Sequence, residues 1–240
     1  MASAANRIVI NATGQHTATV VFLHGLGDTG NGWLFLVENF RRRQLFPEVK
    51  FILPTAPVIP ITCNWGFRMN GWYDIAVLDG NAETLRQNED EIGINKSKDF
   101  LHTMIQEEIS AGIPSDRIVL GGFSQGGAMS IFSGLTAPVR LGGIVALSSY
   151  LLLSRKFKDI IPKGTAMVNQ QTPIFMAHGT SDQVVNPHLG EMSRDILKEM
   201  SFNVNWKSYA NMGHEACPEE IDDIQKFLEK SLPSLKKTEL

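Results

Sequence analysis

The stretch Arg117-Ile118-Val119-Leu120-Gly121-Gly122-Phe123-Ser124-Gln125-Gly126-Gly127-Ala128-Met129 decides how the rest of the chain is read. It opens as an apolar run, passes through paired glycines and continues in a helix-compatible stretch. Its centre, Gly122-Phe123-Ser124-Gln125-Gly126, has the form G-x-S-x-G between a strand and a helix. That setting forces the serine into a strained backbone with its hydroxyl projecting, and small neighbours prevent a clash. The helix start beneath it favours negative charge developing nearby. A plain glycine-rich turn fits the same pattern, so its meaning depends on what surrounds it.

Outward from this turn, short apolar runs alternate with longer helical patterns. Strands are predicted at Ala18–Leu23, Val49–Leu53, Arg117–Phe123, Gly143–Ser148, Pro173–Ala177 and Val204–Tyr209. Runs such as Val20-Val21-Phe22-Leu23 and Ile144-Val145-Ala146-Leu147 are apolar without alternation, as strands are when helices cover both faces of a parallel sheet. A helix is predicted from about Gln87 to Ala111, with Ile92, Phe100, Leu101, Met104, Ile105 and Ile109 on one stripe. Gly112 and Pro114 stop it. Asn186-Pro187 reads as an N-cap and first-turn proline opening a helix to about Met200. A last helix starts near Pro218, with Ile221, Ile224, Phe227, Leu228 and Leu232 at helical spacing. This alternation implies an α/β fold in one domain over residues 1–240: a mostly parallel central sheet with helices on both faces. The least regular segment, Pro54 to Asn81, holds Pro57, Pro60, Gly66, Gly71 and Gly80. A loop of that length inside a compact domain is more often functional than idle.

Composition removes several classes of function. The 240 residues are 43% hydrophobic and 20% charged, which excludes a disordered or fibrous chain. Lys and Arg number 22 against 25 Asp and Glu, and a net charge of -3 gives no electrostatic footprint for nucleic acid or anionic lipid. The one basic run, Arg41-Arg42-Arg43, reads as a solvated helix end. Two cysteines, Cys63 and Cys217, make neither a disulfide framework nor a C-x-x-C zinc pair. Met1 to Asn6 lacks the basic start and apolar core of a secretory signal. Lys237-Thr238-Glu239-Leu240 carries no prenylation cysteine. Leu141 to Leu153, the longest near-apolar stretch, is too short and too rich in Gly and Ser to span a bilayer. The expected setting is soluble, reduced and cytoplasmic, with the nucleus also open.

A serine nucleophile needs a base, and the base an orienting acid. In an open parallel sheet these come from loops beyond the carboxyl ends of strands. His178-Gly179-Thr180-Ser181-Asp182 follows one predicted strand and Ala210-Asn211-Met212-Gly213-His214 follows another. The order Ser124, Asp182, His214 is the one α/β-hydrolases use. His178 competes as base, but it follows its strand too closely to reach across and precedes the acid, so it reads as a structural strand-end histidine. His16, His102 and His188 read as surface or capping residues. Oxyanion donors are expected from the backbone N–H of Gln125 and from Leu26, whose flanking Gly25 and Gly27 let the backbone turn its N–H into the cleft. Gly25, Gly27, Gly30 and Gly32 do not follow G-x-G-x-x-G, and no Walker lysine or H-E-x-x-H spacing occurs. No metal and no cofactor are expected.

Further segments carry a resemblance. They are Phe22 to Gly30, Pro54-Thr55-Ala56-Pro57, Trp72-Tyr73-Asp74, Gly112-Ile113-Pro114 with Arg117-Ile118, Gly121 to Ala128, Ala146-Leu147-Ser148, His178-Gly179 with Asp182, and His214 with Cys217. They run in order through nearly the whole chain, and together they resemble a fungal acyl-protein thioesterase of the phospholipase/carboxylesterase family. The resemblance implies an α/β-hydrolase without a large cap domain, catalytic Ser124, Asp182 and His214, and oxyanion donors at Leu26 and Gln125. It also implies removal of S-palmitoyl groups from proteins, so S-acylated proteins are the implied partners; related members accept lysophospholipids and simple esters. Reaching lipid-anchored substrates requires transient membrane contact or recruitment. The oligomeric state, a homodimer included, stays open.

Two segments depart from the family pattern. Met69-Asn70-Gly71-Trp72 lacks the proline often found between methionine and tryptophan, and Ser149-Tyr150-Leu151-Leu152-Leu153 replaces small or cysteine residues followed by proline. Both are expected to flank the substrate channel, where chain-length preference is set. Ile61 to Leu78 carries Trp65, Phe67, Met69, Trp72, Ile75 and Val77 in an irregular stretch, with Leu26 and Leu34 beside the oxyanion loop. Trp72, Leu34, Met69 and Ile75 are expected to line an apolar channel leading to Ser124; the alternative is that they pack the loop onto the sheet. The competing functions are a carboxylesterase or lysophospholipase using the same residues, and a receptor that binds an apolar ligand without turnover.

Overall fold

A computed structural model describes residues 6–79, 81–161 and 168–235. Gly80, the N-terminal residues through Ala5 and the C-terminal Lys237 to Leu240 lie outside that range. In chain order the elements are β1 (Arg7–Ile10), β2 (Ala18–Leu23), α1 (Leu34–Arg42), β3 (Val49–Pro54), β4 (Val58–Ile61) and β5 (Phe67–Asn70). Then come α2 (Ala82–Gln87), α3 (Glu91–Ser110), β6 (Ile118–Phe123), α4 (Gln125–Leu135), β7 (Gly143–Leu147) and α5 (Phe157–Ile160). The last are β8 (Ile174–Gly179), α6 (Pro187–Glu199), β9 (Val204–Tyr209) and α7 (Pro218–Ser231).

The central sheet has seven strands in the order β1-β3-β2-β6-β7-β8-β9. Every neighbouring pair is parallel except the antiparallel edge pair β1–β3. The unbroken apolar runs have the expected cause, since successive residues feed cores on opposite faces. Val21, Leu23, Leu120, Ile144, Ala146 and Met176 join the core under α3, α4 and α6. Val20, Phe22, Val119, Val145, Leu147 and Phe175 join the core under α1 and α7. Burying each of these side chains larger than alanine contributes about 1.5–3 kcal/mol before entropy is counted. Among the described residues no helix is long and apolar enough to cross a membrane.

Three differences from the sequence reading have local causes. The predicted helix from Gln87 is interrupted. Asp90 caps a new helix, α3, by accepting the Gly93 N–H at 2.9 Å, and its other oxygen takes the Asp74 N–H at 2.9 Å. α3 then ends as expected: Gly112 sits at φ +96°, and the Ile113 N–H returns to the Glu108 carbonyl at 3.1 Å. The irregular Pro54–Asn81 segment hides the antiparallel hairpin β4–β5, whose register pairs Val58 with Asn70 and Ile61 with Phe67. Short strands broken by Pro60 show too little alternation to be recognised. Finally, His102 is neither surface nor cap: its Nε2 meets the Ser133 carbonyl at 2.8 Å and ties α3 to the fully buried α4.

Candidate active site

The strand order reverses at β2, because the chain passes from β2 outward to β3 and later returns on the other side to β6. The crevice at such a switch point opens beyond the carboxyl ends of the two strands. There the loop after β2 and the turn after β6 meet: a Cβ added to Gly25 would lie 3.3 Å from the Ser124 Cβ.

Ser124 adopts φ +54°, ψ −121°, a conformation that non-glycine residues rarely hold. Its N–H donates to the Leu147 carbonyl at 2.8 Å, which fixes the turn to β7. The tightness of the turn dictates the flanking glycines. A Cβ on Gly122 would fall 2.4 Å from the Gly126 carbonyl carbon, and one on Gly126 would fall 2.4 Å from the Leu23 carbonyl oxygen. Helix and strand approach so closely there that no side chain fits.

The structure brings Ser124, His214 and Asp182 into one line. Ser124 Oγ lies 2.9 Å from His214 Nε2, and His214 Nδ1 lies 2.7 Å from Asp182 Oδ2. Asp182 Oδ1 accepts the N–H groups of Val184 and Val185, each at 2.9 Å. Burial by itself opposes ionisation of this carboxyl, but the hydrogen bonds from His178, His214 and the Val185 N–H outweigh it and hold it well below the usual carboxylate range. His178 does not approach the serine. It is buried, with Nε2 2.9 Å from the Val185 carbonyl and 3.3 Å from Asp182 Oδ2. The sequence showed its strand-end position but not that its ring abuts the acid.

The N–H groups of Gln125 and Leu26 donate to no protein group among the described residues. The loop carrying Leu26 is held on both flanks. His24 Nδ1 meets the Gly25 carbonyl at 2.6 Å and its Nε2 accepts the Ala56 N–H at 2.9 Å, a pairing that needs a neutral ring. Burial lowers the pKa of His24 and so favours that neutral form. On the other flank the Gly27 N–H donates to the Asn70 carbonyl at 2.7 Å, so the hairpin β4–β5 braces the loop. The side chain of Gln125 is a third brace, one that the expectation of an oxyanion donor at its N–H did not include. Its Oε1 accepts the Trp72 N–H at 2.8 Å and its Nε2 donates to the Tyr73 carbonyl at 2.7 Å.

Ser124 opens into a cavity of about 340 Å³, within the range of small-molecule sites. Its apolar wall comes from Leu26, Cys63, Ile75, Leu78, Phe123, Tyr150, Val184 and Val185, with His214 and Gln125 beside the serine. Of the four residues expected to line a channel, Ile75 does so, and the side chain of Leu26, expected as an oxyanion donor, joins it. Trp72, Leu34 and Met69 do not. Trp72 is buried behind the oxyanion loop, donating from Nε1 to the His24 carbonyl at 2.9 Å, because its indole fills the gap between that loop and α3. Leu34 packs half-buried against the core under α1. Met69 turns its sulfur toward Asn64 Nδ2, 3.4 Å away within the hairpin. Trp65 and Phe67, 93% and 70% exposed, lie at the hairpin turn. The polar loop Ser181-Asp182-Gln183 followed by the apolar pair Val184-Val185 was the unread signal for the wall. Tyr150 belongs to one of the two segments expected to flank the channel. Its hydroxyl meets that of buried Tyr73 at 3.1 Å. Cys63 is a poor rival nucleophile, since burial and the nearby Asp74 carboxylate push its thiol pKa up.

A larger cavity, about 510 Å³, lies at the amino ends of β8 and β9, remote from Ser124, and is lined by Lys207, Asp223, Lys226, Phe227, Lys230 and Ser231, with no histidine to serve Ser231 as a base. Among the described residues no group of His, Cys, Asp or Glu is placed to hold a metal ion.

Comparison with known proteins settles the family. Residues 4–232 match the model of the phospholipase/carboxylesterase family. The chain belongs to that family. It is 60% identical over 237 residues to acyl-protein thioesterase 1 of Neurospora crassa, covering 98% of this chain and 96% of that protein. It is 54% identical over 226 residues to acyl-protein thioesterase 1 of Gibberella zeae, covering 94% and 95%. Among solved structures, Zea mays acyl-protein thioesterase 2 superposes with a TM-score of 0.82 at 34% identity, over 94% of this chain and 98% of that one. Arabidopsis thaliana SOBER1 gives 0.81 at 29% identity, over 90% and 99%. The fold is that of the α/β-hydrolases with no large cap domain, and this family member is a hydrolase.

Proposed function

We propose that the protein is a serine thioesterase that removes long-chain S-acyl groups, palmitoyl among them, from proteins. The observation that carries the reading is Ser124, hydrogen-bonded to His214, opening into an apolar cavity large enough for acyl methylenes. Its similarity to proteins named acyl-protein thioesterase supports the same substrate class.

The chemistry follows from the geometry. His214 Nε2 takes the Ser124 proton as Oγ attacks the thioester carbonyl, while Asp182 holds the imidazole in the tautomer that presents Nε2 as acceptor. The N–H groups of Leu26 and Gln125 receive the oxyanion, and the strained turn at Ser124 holds the attacking oxygen beside them. Collapse of the tetrahedral intermediate expels the cysteine thiolate, which takes the proton from His214 and leaves an acyl-Ser124 ester. Water, activated by His214, then frees the fatty acid and regenerates the serine.

A second reading rests on the same residues, because this machinery also cleaves oxygen esters: a carboxylesterase or lysophospholipase acting on small or lipid esters, which the family's name, phospholipase/carboxylesterase, supports in part. Matched thioesters and oxygen esters from acetyl to palmitoyl separate the two by kcat/KM. A rise with chain length and a preference for thioesters supports the first reading. Equal or better turnover of acetyl oxygen esters replaces it with the second.

A further inference from the structure

A cleft of about 470 Å³ adjoins the acyl cavity, and the two share Leu78 and Val184 as a common wall. Their chemistry differs. The cleft presents Asp79, Thr180, Gln183 and Asn186, and it runs along the loop that carries Asp182.

These polar side chains are only partly used within the protein. Asn186 accepts the His188 N–H through Oδ1, which leaves its Nδ2 donor unengaged. Asp79 accepts the Asn81 N–H through Oδ1, leaving Oδ2. Gln183 makes one long bond, Nε2 to the Ser181 carbonyl at 3.4 Å, leaving Oε1. The cleft therefore holds spare donors and acceptors of the kind that pair with a peptide main chain.

The reaction fixes which part of a substrate reaches this side. The acyl chain belongs in the apolar cavity. The leaving group must lie beside His214 Nε2, which faces Ser124 in the acyl cavity, so the peptide on either side of the cysteine has to leave that cavity, and the cleft across Leu78 and Val184 is its polar neighbour. Val184, 46% exposed, stands on the ridge dividing them.

We propose that this cleft is a peptide subsite, holding the polypeptide that flanks the acylated cysteine while the acyl chain fills the neighbouring cavity. The proposal rests on the thioesterase reading and deepens it. The two-part site matches an amphiphilic substrate whose polar half is a peptide, and it distinguishes acylated proteins from small thioesters that carry the same acyl group.

The test compares two octanoyl thioesters, one on N-acetylcysteamine and one on the cysteine of a neutral hexapeptide. Wild type should favour the peptide in kcat/KM by about ten-fold, the equivalent of one or two main-chain hydrogen bonds. Gln183→Trp, at an exposed position with a single weak contact, should obstruct the cleft and reduce that preference at least five-fold, chiefly through KM of the peptide substrate. Asp79→Ala should reduce it in the same direction. A peptide preference unchanged in both variants overturns the proposal, as does equal turnover of the two substrates by wild type. An equal loss on both substrates in Gln183→Trp overturns it too, because the cleft would then serve the acyl group. Hydrolysis of neither thioester by wild type removes the thioesterase reading itself and the subsite with it.

Discussion

Ser124 combines a left-handed backbone, a hydrogen-bonded base and a neighbouring apolar cavity, and each side chain in its line has a distinct expected phenotype. Ser124→Ala should lower kcat by roughly 10⁴–10⁶-fold, the remainder coming from binding and the oxyanion donors. A fluorophosphonate probe should label the wild type and not this variant; labelling of both at one rate would place the nucleophile elsewhere. His214→Ala should be about as damaging. His178→Gln should be milder, since its ring supports Asp182 from 3.3 Å without reaching Ser124. If the His178 variant is folded and inactive while the His214 variant turns over, the base is the other histidine. Trp72→Ala, by contrast, should act through stability. A tryptophan 2% exposed with both its N–H groups bonded should cost about 3–5 kcal/mol on truncation. Because it braces the oxyanion loop and does not touch the acyl cavity, turnover should drop on short and long chains alike. A selective loss on long chains would put the indole back in the channel.

At the scale of elements, α7 carries an untypical burden. Glu220 lies in its first turn, fully buried, and neither carboxyl oxygen has a hydrogen-bond partner among the described residues. Burial, with a smaller push from Asp223, raises its pKa to about 8, so it is folded in the protonated form at neutral pH. The sign follows from linkage. Between the ordinary pKa of 4.5 and about 8 the unfolded chain releases this proton and the folded chain keeps it, so stability falls as pH rises through that window. Glu220→Gln, which matches the protonated acid in shape, should raise stability at pH 7 by about 2–3 kcal/mol and by almost nothing at the low end of the window. Urea midpoints across the window check this. A gain that does not depend on pH would mean that the carboxyl is ionised when folded.

For the whole molecule, the position of the site follows from the strand order. The reversal at β2 places the Leu26 loop next to the Ser124 turn, and the carboxyl ends of β8 and β9 deliver Asp182 and His214 to the same edge. The hairpin β4–β5 and the segment ending at Leu78 then fold back over that edge, supplying Cys63, Ile75 and Leu78 to the cavity wall. Along the apolar part of this wall, each added methylene should raise kcat/KM by about four-fold, from about 0.8 kcal/mol per buried CH₂, until the cavity is full. Chain-length series on Ile75→Ala and Leu78→Ala should flatten this slope. Acetyl thioesters as good as octanoyl ones in wild type would show that the cavity does not hold the acyl chain.

The sequence by itself determined the parallel sheet, most of its strands and the three residues now found in line. These are written locally: unbroken apolar runs record burial on two faces, and G-x-S-x-G records a backbone that only glycines can flank. The chain order of Ser124, Asp182 and His214 follows from which strand each one ends. Tertiary structure alone decided which side chains face the acyl cavity. Trp72 and Ile75 are three residues apart in one irregular segment, yet one is locked behind the oxyanion loop by Gln125 and His24 while the other lines the cavity. No periodicity separates them, because the segment is neither helix nor strand and its orientation is set by hydrogen bonds to residues about fifty positions away. His178 and Glu220 teach the same lesson. Their residue types and positions were plain, but contact with Asp182 and burial without a partner arise only when distant elements pack.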